Sequence, residues 1–180
     1  MGVMISAYSR LALTEPHTYD GDACYDLGHI HAFAYAGFEQ STRGLADHDR
    51  PVTLGREACI GGRCYIQTPE TVERKVCSWS YSGYGEWRRE LAKAVLDVDV
   101  EDVWKDPDAY RDRPFFELLE FADNEGTIGP EAAADLLVDF REHRDQVPVD
   151  EIEFSGVTPL PDRWIEALTL AADGGLVRFS

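Results

Sequence analysis

Apolar positions change their spacing near the middle of the chain, from a period of two to one near 3.6, which divides it into strand-forming and helix-forming halves. Val3-Met4-Ile5 opens a β-capable run that polar residues and the Glu15-Pro16 break bring to an end. Between His29 and Phe38 the side chains alternate at first. His29, His31, Phe33 and Tyr35 fall on one side, and Ile30, Ala32, Ala34 and Ala36 on the other. Alternation predicts a strand, with the alanines leaving a helix open. Glu57 to Gln67 and Val72 to Tyr81 read as two more strands, joined through Thr68-Pro69-Glu70 and expected to pair antiparallel.

Helical spacing follows. Trp87, Leu91, Ala94 and Val95 fall on one stripe and predict a helix starting near Gly85. Phe115, Phe116, Leu118, Leu119 and Ala122 predict a short apolar helix opened by Pro114. Ala133, Leu136, Leu137 and Phe140 predict a third, opened by Pro130, with Glu131, Asp135, Asp139 and Glu142 on its opposite face. A fourth runs from Pro161 through Trp164, Leu168 and Ala171 until Gly174-Gly175 stops it, leaving Leu176 to Phe179 for a short C-terminal strand. No repeat, low-complexity tract or linker interrupts the pattern. The expected fold is one α+β domain over residues 1–180, with N-terminal antiparallel strands followed by about four helices.

Charge adds a marked asymmetry. The 180 residues carry a formal net charge of −17. From Asp97 to Glu153 there are 19 acids against 5 bases, and in the rest of the chain 15 against 12. Such a field repels phosphate backbones and anionic lipid, so direct nucleic-acid or membrane binding is not expected. No apolar window reaches a membrane-spanning length, and Met1 to Leu13 lacks the basic start of a signal peptide, so a soluble, cytoplasmic protein is expected. Cys24, Cys59, Cys64 and Cys77 lack the second close pair that a zinc site needs, and they read as free thiols.

Candidate chemistry concentrates in two segments. Ser78 to Glu90 reads as a strand leading through a Gly/Ser turn into a helix N-terminus, a place where backbone N–H groups can hold an anion. Tyr81, Ser82 and Tyr84 stand there as ligand contacts, and Arg88 as a grip for a phosphate or carboxylate. Arg88 and Arg89 are expected in the first helical turn, where the dipole disfavours them, with Arg89 neutralised by Glu86. A tight strand-to-helix turn whose aromatics fill the core is the reading that outweighs a ligand site here.

The second segment, Glu120 to Glu131, has the outline of a calcium hand and places Asp123 and Glu125 at ligand positions. Phe121 and Ala132 stand where its anchoring carboxylates belong, so no calcium is expected. The expected structure is instead an interhelix turn with Gly126 at positive φ. His29 and His31, with Asp26, form a metal alternative, outweighed by ordinary packing. No nucleophile elbow or Cys/His signature is present, no catalytic residue stands out and no cofactor is implied.

Ser80-Tyr81-Ser82-Gly83-Tyr84 with Trp87-Arg88, and Phe121, Asp123 and Glu125-Gly126-Thr127-Ile128-Gly129-Pro130, together resemble a recurrent pattern in uncharacterised bacterial and phage proteins. The likeness covers the middle third of the chain and implies a shared fold, with no activity attached. Two readings of function follow. One is a non-enzymatic, acidic interaction protein that meets a basic partner surface or imitates nucleic acid toward its binder. The other is a small-ligand protein or enzyme with its site at Tyr81, Ser82, Tyr84 and Arg88, beside Asp123 and Glu125.

Overall fold

The computed structural model describes residues 2–13, 30–35, 43–44, 59–120, 126–149 and 158–179. Among these the strands are β1 (Gly2–Tyr8), β2 (Ala12–Leu13), β3 (Ile30–Tyr35), β4 (Cys59–Ile66), β5 (Glu73–Ser80), β6 (Gly126–Ile128) and β7 (Leu176–Phe179). The helices are α1 (Tyr81–Leu96), α2 (Val100–Lys105), α3 (Phe116–Glu120), α4 (Pro130–Glu142) and α5 (Leu160–Ala172). The fold is mixed α+β, as the change of period predicts.

Two antiparallel sheets form, ordered β5-β1-β7-β6 and β2-β4-β3. The expected pairing of the two strands flanking Thr68-Pro69-Glu70 does not occur. β5 pairs with β1, and β4 pairs with β2 and β3. Thr68 and Thr71 hydroxyls instead turn to the Arg10 carbonyl, at 3.4 and 3.2 Å. That contact fastens the connection to the bend after β1, where Arg10 takes φ 50.

β1 is central because it is apolar at every position facing the helices. Val3, Ile5 and Ala7 are fully buried there. Its register with β5 slips between Ile5, opposite Cys77, and Ser6, opposite Lys75, so Val76 is the extra residue of a bulge. A bulged residue loses its ladder partner. Arg163, from α5, donates to the Val76 carbonyl at 2.8 Å and closes that gap.

Helix α1 begins at Tyr81, four residues earlier than its apolar stripe predicts, and β5 runs into it without a Gly/Ser turn. Ser80 is the reason. Its backbone is extended and its hydroxyl accepts the Gly83 N–H at 3.0 Å, a serine N-cap. Gly83 and Gly85 are therefore helical residues rather than turn residues, each costing about 1 kcal/mol relative to alanine. A Cβ on Gly85 would meet nothing closer than an Arg89 nitrogen at 3.9 Å. Gly85→Ala should therefore raise stability by about 0.5–1 kcal/mol. Urea unfolding checks this, and a loss of stability would contradict the helical assignment.

Helix α4 opens on Pro130 as expected, α5 opens on Leu160 with Pro161 as its second residue, and the two pack on each other. α5 lies across β5, β1 and β7. Pro114 does not open α3 directly, because Phe115 intervenes at φ 62. The expected interhelix turn at Gly126 is strand β6, which pairs with β7, although Gly126 keeps a positive φ of 153. Helix α2 and the 3-10 turn Pro107–Ala109 carry no stripe in the sequence and were not expected.

The core is a file of rings. Trp79 stacks on Trp87 at 5.2 Å, Trp87 on Trp164 at 6.0 Å, and Trp164 on Phe140 at 5.5 Å. Phe115 meets Phe140 edge-on at 4.9 Å. The file thus joins β5, α1, α5 and α4 to the residue preceding α3.

Candidate functional site

Since α1 starts at Tyr81, Arg88 and Arg89 stand in its middle and not in its first turn. The expected conflict with the helix dipole disappears. Arg89 is exposed and pairs with Glu101 of α2 at 2.9 Å, not with Glu86. Arg88 is 5% exposed, its guanidinium 5.0 Å from the Tyr84 ring centre and 5.3 Å from that of Trp104. A guanidinium is planar and weakly hydrated, which lets it sit between two rings where an ammonium would not.

The remaining candidate ligand contacts are spread by depth. Tyr84 is fully buried, stacked on Trp79 at 5.6 Å and Trp87 at 5.9 Å. Tyr81 is half-buried, and Ser82 is exposed with its hydroxyl 3.0 Å from that of Ser80. Asp123 and Glu125 lie outside the described residues, as do His29 and Asp26 and the side chains of His31, Cys59 and Cys64. Cys77 is buried. Among the described residues no three His, Cys, Asp or Glu side chains converge to hold a metal ion.

Trp104 is the residue that periodicity does not find. It sits on α2, whose Val100 and Val103 face the core, and 41% of it is exposed. Its indole N–H donates to the Leu119 carbonyl at 2.8 Å, which fixes the ring's orientation. Around it, residues 97–112 carry seven acids against two bases. Asp97, Asp99, Asp102, Asp106, Asp108 and Asp112 are all exposed. Four of the seven acids are matched locally. Lys93 meets Asp97 at 2.6 Å, Arg89 meets Glu101, Lys105 meets Asp102 at 3.0 Å, and Arg111 meets Asp108 at 2.7 Å. Asp99, Asp106 and Asp112 make no ion pair among the described residues. Exposed pairs contribute little stability, so this pattern is mainly one of surface potential.

A second polar cluster lies between α3 and α4. Glu117, only 6% exposed, accepts from Arg43 Nη2 at 2.7 Å, and the same nitrogen reaches Asp135 at 2.6 Å. The Arg43 carbonyl accepts the Glu131 N–H at 3.2 Å, a cap that the Gly129 side cannot supply for α4. Asp139 accepts the Phe115 N–H at 2.7 Å and so holds a buried phenylalanine at φ 62, a conformation that costs about 1–3 kcal/mol. Burial pushes the Glu117 carboxyl above its ordinary range, against the pull of its own backbone hydrogen bond and of Arg43. Burial likewise raises Asp139, against the Phe115 N–H and His143. A raised carboxyl is better suited to general-acid work than an ordinary one. Here both are engaged in holding the fold.

This cluster sets a pH dependence. A carboxyl whose folded pKa is raised binds its proton more tightly in the native than in the unfolded chain. Its contribution to stability therefore falls as pH rises from the unfolded value through the raised one. Glu117→Gln removes that penalty while Arg43 keeps Asp135. The variant should gain stability relative to the wild type on going from about pH 4 to about pH 7. Urea unfolding at the two pH values checks this. A relative loss at neutral pH would mean that the Arg43 pair outweighs the burial cost.

No helix among the described residues is long and apolar enough to cross a membrane. No protein-family model, curated protein or solved structure matches the chain.

Proposed function

We propose that the protein is a non-enzymatic interaction protein whose acidic face, Asp97 to Asp112, docks a basic surface of a partner protein. The observation that carries this reading is the exposure of six of the seven acids in that stretch, three of which make no ion pair among the described residues. Clustered like charge is costly to keep on a folded surface, and a partner of opposite sign relieves it while accelerating encounter. A partner whose basic surface ordinarily takes phosphate fits the same chemistry, which is how nucleic-acid mimicry would operate.

Deca-lysine and deca-glutamate, titrated calorimetrically into the full chain, test the proposal. Deca-lysine should bind saturably, with affinity falling as salt is raised, and deca-glutamate should give no heat. The variant carrying Asp99→Asn, Asp106→Asn and Asp112→Asn should bind deca-lysine more weakly. Equal binding by wild type and variant would remove this face from the proposal.

A further inference from the structure

Within that acidic face the structure assigns Trp104 as an anchor: its exposed ring receives a cationic side chain, arginine or lysine, from the basic segment of the partner protein. The inference rests on the interaction reading above and adds the group that makes the contact specific. Three observations converge on it. Trp104 is the most exposed of the four tryptophans, at 41%, whereas Trp87 and Trp164 are 5% and 0% exposed and belong to the core file. Its ring is held rigidly by the indole bond to the Leu119 carbonyl, so little side-chain freedom is lost when a partner docks. Finally, the ring lies 5.3 Å from the Arg88 guanidinium, within the geometry of a cation–π contact.

The surrounding charges fix the sign of the ligand. On α2 the neighbour one turn before Trp104 is Glu101, and Asp102, Asp106 and Asp108 flank it in the chain; Arg89 pairs with Glu101 and Arg111 with Asp108, while Asp106 makes no ion pair among the described residues. Lys105 beside it is drawn to Asp102. An anionic ligand would be repelled by the carboxylates, and a purely apolar one would strip their hydration without replacing it. A guanidinium or ammonium gains from the acids and the ring together. Rigid aromatics at the centre of a polar rim are also where interface energy concentrates.

The test uses deca-arginine with the wild type and with Trp104→Leu and Trp104→Tyr, each as the full chain. Trp104→Leu should weaken binding about 5-fold, while the slope of affinity against salt stays unchanged because no charge is altered. Trp104→Tyr should recover most of the loss. In the wild type, acrylamide quenching of tryptophan fluorescence should fall along the binding curve as the ring is covered. Should Trp104→Leu not fold, the tyrosine variant and the quenching curve decide the matter. Wild-type affinity in Trp104→Leu, or quenching unchanged at saturation, overturns the anchor and leaves the acidic-face reading standing. Absence of any deca-arginine binding to the wild type overturns both.

Discussion

Trp164→Ala should lower the unfolding free energy by about 3–5 kcal/mol, a large fraction of what holds a domain of this size together. Trp164 is fully buried and sits at the middle of the ring file, against Trp87 on one side and Phe140 on the other, with Phe179 of β7 tilted against it at 6.4 Å. Removing it leaves a cavity bordered by α1, α4 and the sheet. Three elements cannot close in on that space together without breaking other contacts. Its indole N–H has no hydrogen-bond partner among the described residues, so the loss is one of packing alone. Trp164→Phe, which removes that nitrogen and keeps a ring, should therefore cost much less. Chemical denaturation of both variants checks the pair of values. Equal losses would place the importance of Trp164 in its nitrogen and not in the stack.

Gly175→Ala should cost about 3 kcal/mol, near the upper end for overpacking, through backbone and not side-chain crowding. A Cβ at this position would collide with the Tyr8 carbonyl oxygen and lie 2.8 Å from the Ser9 Cα. Neither neighbour can retreat. Tyr8 ends β1, which is bonded to β5 on one side and β7 on the other. The chain just beyond is tied to the α5 end by the bonds Arg10 N–H to Asp173 O and Leu11 N–H to Gly174 O. Gly174→Ala, by contrast, meets no atom within 4 Å and suffers only from its φ of 66. Thermal unfolding of the two variants separates the causes. Gly175→Ala should melt well below Gly174→Ala, and the reverse order would contradict the close approach of β7 to β1.

The elements legible in the sequence are those written locally. Pro130 and Pro161 mark two helix starts, their apolar stripes mark the buried faces, and Gly174-Gly175 marks the stop before β7. Pairing is a different matter. β5 lies beside β1 and not beside β4, because its partner is chosen by burial of Val3, Ile5 and Ala7 across a separation of some seventy residues. The Gly83 and Gly85 positions mislead because a capping hydroxyl and the burial of Tyr84 override glycine's poor helix propensity. β6 is three residues long, too short to show a period.

The candidate site is legible in part. Acidity from Asp97 onward is plain in the composition, whereas the difference between Arg88 and Arg89 rests on the neighbours that the fold brings to each. Arg88 is enclosed between rings, whereas Arg89 is paired on the surface. Trp104 offers only one signal, a tryptophan within seven acids. Glu117 and Arg43 offer none, since their contact spans 74 positions.

Amide chemical-shift mapping during a deca-lysine titration tests whether residues 97–112 form the docking face. The expected result is a saturable set of shifts confined to Asp97–Asp112 and to Arg88 and Arg89, with Glu131 and Glu142 of α4 unmoved. Shifts spread evenly over every exposed acid, Glu131, Glu142 and Asp173 included, would contradict the claim and reduce the acidity to a uniformly solvated surface.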